Sequence, residues 1–168
     1  MPVNLPHPNK VHGITIDPQA PGTNFRIALA VESALNIGFA AYILIDPTTA
    51  LKFLAADTSL INPLAKSVIS LMGISTFIIT VPMLISIQNT RRGIESRVPT
   101  YYLLGAGELL FIALFTYLGI KGEKETGISS KALVSATGNL LPPLAWRVFV
   151  LGFKPLWVGR YVDGEKKA

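Results

Sequence analysis

Four long apolar stretches dominate this chain, at residues 27–45, 66–87, 101–120 and 132–153, with short charged or proline-rich segments between them. Each is near 20 residues, and at about 1.5 Å rise per residue that length carries a helix across about 30 Å of hydrocarbon. None alternates apolar and polar residues with period two, so strands are a poor reading. A backbone in lipid must satisfy its own polar groups, which leaves helices. The pattern predicts an all-α integral membrane four-helix bundle over residues 26–153. Pro142-Pro143 interrupts the fourth stretch and removes two amide donors. A kink that opens a cavity and a proline pair merely tolerated in a span explain it equally well.

The flanking segments orient the bundle. Residues 1–25 hold Pro2, Pro6, Pro8, Pro18 and Pro21 and no apolar h-region, so they read as an irregular cytoplasmic tail and not as a signal peptide. Residues 154–168 read as a basic C-terminal tail. In the longest loop, 46–65, Leu51, Leu54 and Ala55 share helical spacing and fit a short interfacial helix, or a plain loop with apolar anchors. Four spans place both termini on one side. That side carries Lys10, Arg26, Arg91, Arg92, Arg97, Lys154, Arg160, Lys166 and Lys167, against Lys52, Lys66, Lys121, Lys124 and Lys131 on the other. The excess of positive charge puts both termini in the cytoplasm. Trp157 and Tyr161 fit an interfacial aromatic belt better than a ligand cage. Lys166-Lys167 resembles a dilysine endoplasmic-reticulum retrieval signal, although Glu165 stands where the outer lysine belongs.

Composition narrows the chemistry. The 168 residues are 50% apolar and 15% charged, with mean hydropathy +0.47 and no cysteine. A soluble domain carries about a quarter charged residues. A disordered chain, a disulfide scaffold, a thiolate metal site and a Cys nucleophile are excluded. His7 and His12, the only histidines, lie in the tail, which disfavours a haem or His-rich metal site in the bundle. No cofactor is expected. The net charge of +5 follows from the flanking bias, and no basic stripe with interleaved aromatics suggests nucleic acid. There is no phosphate loop or nucleophile elbow, and Gly105-Ala106-Gly107 reads as a helix-packing element.

Beyond Lys66, which opens the second stretch, only Glu32, Glu108 and Arg147 bring charge into the apolar stretches. Such groups cost about 2.5–3.5 kcal/mol on insertion scales and face protein or water by default. Under the predicted topology Glu32 lies about 9 Å deep, Glu108 about 10 Å and Arg147 about 9 Å, all from the cytoplasmic end. Span two reaches that level near Thr80. Two carboxylates and a guanidinium at one depth can form a buried network with the Arg fork holding one or both acids. With both acids ionised the triad carries −1, which favours a proton on one of them. A protonated and an ionised carboxyl side by side are an acid and a base. The bland alternative is an Arg–Glu lock that fixes helix register.

Other polar residues extend these faces. Asn36 lies one turn beyond Glu32, Tyr101 is seven before Glu108, and Asn139, Pro143 and Arg147 recur every four residues. Gly73, Thr76 and Thr80 give span two a polar row. Together they predict a partly polar substrate cavity, open toward the cytoplasm and lined by Asn36, Thr80, Tyr101 and Asn139. Interhelical hydrogen bonding alone also accounts for the Asn and Thr residues. Ala30, Ala34 and Gly38 form a small-residue row about 200° from Glu32, suited to a bundle neighbour or a homodimer.

In size and span layout, with Asp46-Pro47 ending the first span and Glu108 in the third, the chain resembles two groups. One is the broad DoxX-like set of four-span proteins. The other is the small four-span membrane proteins encoded beside fungal natural-product pathways, some of which look like cofactor-free cyclases or tailoring enzymes. The resemblance implies action on a lipophilic intermediate of secondary metabolism at an internal membrane. The expected function is then a cyclase or isomerase, or an enzyme accessory. It would take its substrate from the bilayer and use Glu32 and Glu108 for proton transfer, with Arg147 setting their proton affinities or holding an enolate. The alternatives are a scaffold for a larger membrane enzyme, or a small transporter, against which the absence of repeat symmetry counts.

Overall fold

A computed structural model of the chain describes residues 14–163. His7, His12 and Lys166-Lys167 lie outside the described residues. The fold is helical apart from one ribbon. In order come β1 (Ile14–Ile16), α1 (Thr23–Ile45), α2 (Pro47–Leu54), α3 (Pro63–Ile87), α4 (Arg91–Lys121), α5 (Glu123–Thr126), α6 (Ser130–Phe153) and β2 (Tyr161–Asp163). Short 3₁₀ turns at Thr58–Leu60 and Pro155–Val158 precede α3 and follow α6. Three helices, α1, α3 and α4, are long and apolar enough to cross a membrane. At 24 residues α6 has the length, but Lys131, Asn139, Arg147 and the two prolines dilute its apolar content.

Local chemistry sets the helix ends. Asn62 accepts from Ala65 N at 2.9 Å and Pro63 opens α3, three residues before the predicted start. Thr90 Oγ1 accepts from Gly93 N at 3.1 Å, so α4 begins at Arg91 and runs through Pro99. The proline forfeits one backbone bond there, and burial of Ile94, Arg97 and Thr100 around it holds the turn. Asp46 accepts from Thr49 N at 3.0 Å and starts α2, the interfacial-helix alternative for the long loop. Its hydrogen bonds with Thr49 hold the Asp46 carboxyl below the usual range. α6 continues unbroken through Pro142-Pro143.

The tails are less irregular than their composition suggests. β1 pairs antiparallel with β2, Ile14 opposite Asp163 and Ile16 opposite Tyr161. Arg160 N donates to Ala20 O at 2.9 Å and Asp17 N to Arg160 O at 3.1 Å. Backbone pairing thus clasps the two ends of the described chain together.

The long helices pack in sequence, α1 on α3, α3 on α4 and α4 on α6. The side between α1 and α6 is the loose one, closed mainly at its ends. At one end the Pro155–Val158 turn lies against α1. At the other α2 touches α6, beside the Ala55–Ile128 bridge and a 2.8 Å bond from Ser129 N to Leu54 O. Phe25, Leu29, Met83, Tyr101, Leu104, Val150 and Val158 form a core near the termini, and Ile43, Ala50 and Ile69 a smaller one at the other end. The Ala30, Ala34 and Gly38 row takes no bundle neighbour. All three are exposed, because α1 turns Phe25, Leu29, Ser33 and Ala40 inward and the small row falls on the opposite side.

Candidate functional site

Arg147 on α6 joins the two glutamates. Its Nη1 donates to Glu108 Oε1 on α4 at 2.5 Å, and its Nη2 donates to Glu32 Oε1 on α1. α6 runs opposite to α1 and α4, and Arg147, six residues before the end of α6 at Phe153, meets Glu32, nine residues beyond Thr23 on α1, and Glu108, seventeen beyond Arg91 on α4. The side chains are 2% exposed for Arg147, 9% for Glu108 and 26% for Glu32. The triad therefore has an enclosed carboxylate and an open one, and the open one faces the loose side of the bundle. Two enclosed atoms, Glu108 Oε2 and Arg147 Nε, have no partner. Buried polar atoms are seldom left unpaired, at a cost of about 1–3 kcal/mol each.

Tyr101 supports the guanidinium from below. Arg147 lies 5.3 Å from the Tyr101 ring centroid, and Tyr101 OH accepts from Trp146 Nε1 at 3.0 Å. The Tyr101 ring sits 4.2 Å from that of Phe25. On the far face of the pair, Arg97 lies 5.7 Å from the Phe25 centroid. Two cations thus bracket two aromatic rings, an arrangement that cation–π attraction favours.

Arg97, counted above among loop cations, is fully buried. Nε donates to Ser86 O at 3.0 Å, Nη1 to Val158 O at 2.7 Å, and Nη2 to Asn89 Oδ1 at 2.8 Å and Gln88 O at 3.3 Å. Among the described residues no carboxylate lies within ion-pairing distance of it. Its charge rests on neutral acceptors at the C-terminal, partially negative end of α3, where Arg26 Nε also donates to Ile87 O at 2.7 Å. Gly22 and Gly159, at φ 69° and 95°, make room, since a Cβ on either would collide with Arg97 Nη1. The sequence held a signal for this residue. Arg97, Tyr101, Leu104 and Glu108 form one i, i+4, i+7, i+11 stripe, which Pro99 obscured.

Of the predicted cavity residues, Tyr101 reaches the triad and the others do not bond to it. Asn36 Nδ2 donates to Met83 Sδ at 3.4 Å, and the buried Thr80 hydroxyl donates to Thr76 O at 2.7 Å. Asn139 is exposed, since eight residues at 100° each place it about 80° round α6 from Arg147. The expected opening toward the termini is filled by Phe25, Tyr101, Met83, Leu104 and Val150. Two open surface grooves, along Lys66, Ser70 and Ile74 and between Leu51, Asn62 and Met72, lie toward the other end. Gly73 is buried under Ala40, Ile43 and Leu44, which makes it an α1–α3 packing residue. Gly105 lies against Arg147 Cδ and Leu144, while Gly107 meets nothing.

Outside the helical core, Tyr161 OH donates to Glu95 Oε1 at 2.6 Å, and Arg91 Nε also bonds that carboxylate at 3.0 Å. The hydrogen bond to Glu95 raises the Tyr161 phenol above its ordinary value. Trp157 packs 5.8 Å from both Trp146 and Phe149. Among the described residues no group of three His, Cys, Asp or Glu is placed to hold a metal ion. No family model, curated protein or solved structure matches this chain, so its chemistry rests on the geometry above.

Proposed function

We propose that the chain is an integral membrane protein whose α1, α3, α4 and α6 cross the bilayer with both termini cytoplasmic. The helices turn Leu35, Leu71, Leu110 and Val134 outward, large apolar residues that suit lipid and not water. We further propose that Glu32, Glu108 and Arg147 form an acid–base group acting without a cofactor on a lipophilic small molecule. Cyclisation or isomerisation fits best, since each needs only a proton removed at one atom and returned at another. The observation that carries this reading is the asymmetry of the triad. Glu32 opens to the seam, while Glu108 keeps one buried oxygen free behind the same guanidinium. Arg147 would stabilise negative charge developing between them.

Lipid extracts of a producing host, made with wild-type, Glu32→Gln and Glu108→Gln protein at equal abundance, test the reading. The expected outcome is loss of one lipophilic product in both variants. An unchanged product with Glu108→Gln removes the acid–base role. One observation favours a second reading, a scaffold for another membrane enzyme or a second copy of itself. The packed core below the triad leaves no way in from the termini, and the exposed Ala30, Ala34 and Gly38 row offers a helix-docking face. Co-purification of a partner that is lost on changing those residues to Leu would support it.

A further inference from the structure

A guanidinium offers two edges to planar anions, one formed by Nη1 and Nη2 and one by Nε and Nη2. On Arg147 the first is filled, by Glu108 at Nη1 and Glu32 at Nη2. The second is half filled, because Nε is buried and has no partner. A carboxylate saturates such an edge with two parallel hydrogen bonds, the geometry in which Arg binds carboxylates best. The group in the way, Glu32, uses one oxygen, is the most exposed of the three and stands on the loose α1/α6 side. Further along that side, the stripes of Glu32 and Arg147 continue as Phe39 on α1 and Leu140 and Ala136 on α6, all apolar and none buried.

We propose that the α1/α6 seam is a binding site for a lipophilic carboxylic acid, whose carboxylate takes the Nε–Nη2 edge of Arg147 from Glu32 while its chain lies along Phe39 and Leu140. The proposal rests on the membrane placement and lipophilic ligand argued above, and it concerns what binds, not what reacts. Charge conservation shapes the exchange. A third free carboxylate beside one buried cation would meet strong repulsion, so Glu32 leaves as the neutral acid. The acid arrives as its anion, one proton is taken from solvent onto Glu32, and the site with its ligand carries the same net charge, −1, as the triad alone. The ionisable groups around Glu32 are Arg147 from α6 and Glu108 and Tyr101 from α4. At this level α3 presents Thr80 and Met83, which do not titrate.

Saturable binding of radiolabelled dodecanoate to the full chain in phosphatidylcholine nanodiscs, with empty discs subtracted and dodecanol as the uncharged control, tests this. Uptake of one proton makes wild-type affinity fall as pH rises, by at most about tenfold per pH unit. Glu32→Gln mimics the neutral acid and leaves Glu108 on Arg147. It is expected to bind dodecanoate about tenfold tighter than wild type at alkaline pH, with a weaker dependence on pH. Arg147→Lys keeps the charge but lacks the planar fork, and is expected to weaken dodecanoate without affecting dodecanol. Equal binding of acid and alcohol, no saturable binding above empty discs, or a Glu32→Gln profile that follows wild type overturns the proposal. Proton-linked binding alongside an unchanged product in Glu108→Gln would instead retire the catalytic reading and leave this site standing.

Discussion

Arg97 lies over Phe25 and Arg147 over Tyr101, two rings in contact, and both cations are sealed from the surface, yet their charges are met in different ways. Arg97 is held by three backbone carbonyls and an amide oxygen, none of which can gain or lose a proton. Arg147 is held by two carboxylates, each of which can. The first arrangement fixes geometry. It ties the end of α3 to the Pro155–Val158 turn and, through Gly22 and Gly159, brings the two ends of the chain together. The second can change its charge and its partners, and one of its acids opens onto the least tightly packed side of the bundle. The permanent clasp at Arg97 and the Glu108 carboxylate of the adjustable centre thus share α4, eleven residues apart.

Substitution separates the two most sharply. Arg147→Met leaves two carboxylates without their cation and is expected to cost roughly 3–5 kcal/mol, read as thermal unfolding in detergent. Adding Glu32→Gln and Glu108→Gln removes the stranded charge and should restore most of that loss. If Arg147→Met is equally harmful in both backgrounds, the triad is not an electrostatic unit. Arg97→Met strands three carbonyls and is expected to cost roughly 2–4 kcal/mol in the same assay. No side-chain change can rescue it, since its partners are mostly backbone, and Gly159→Ala should produce a smaller loss by crowding Nη1. A second-site side-chain suppressor of Arg97→Met would break the contrast.

The ring pair allows a finer measurement. Phe25→Leu removes the ring contact with Tyr101 and the Arg97 cation–π contact, for a cost of roughly 0.5–1.5 kcal/mol. A double-mutant cycle with Arg97→Met should show coupling, whereas the cycle with Arg147→Met should show less, because Arg147 contacts Tyr101 and not Phe25. The smallest effect belongs to the surface. Tyr161 folds with its phenol proton on Glu95, so its value is raised and its contribution is present below the ordinary phenol value and fades as pH rises through the folded one. Absorbance titration should lose one late-ionising tyrosine in Tyr161→Phe.

The sequence made the triad legible because charge within apolar runs is costly and rare, and counting residues inward from each run placed all three groups at one height. Helix identity was legible for the same reason. The helix starts were not, since Asn62 and Thr90 caps with Pro63 and Pro99 look like loop chemistry until the buried faces behind them are known. Arg97 was hidden in the same way. A cation beyond an apolar run looks like a loop charge, and its acceptors are carbonyls that no residue pattern announces. The cavity expectation failed through geometry. A recurrence every four residues drifts around a helix, which carries Asn139 away from Arg147, and aromatic residues of the same stripes fill the space below the triad.

The claim under everything here is that one guanidinium binds carboxylates from two other helices inside the bilayer. Nitrogen–carbon dipolar recoupling by solid-state NMR measures that contact directly, using arginine side chains labelled with ¹⁵N and glutamate carboxyls labelled with ¹³C in lipid bilayers. Glu95→Gln protein is the right sample, because it removes the Arg91 pair at the surface. The Arg147 signal, identified by its loss in Arg147→Met, should then dephase strongly, with part of the effect lost in Glu32→Gln and the remainder in the double variant with Glu108→Gln. An arginine spectrum showing no carboxylate contact, or one unchanged by either substitution, would contradict the account.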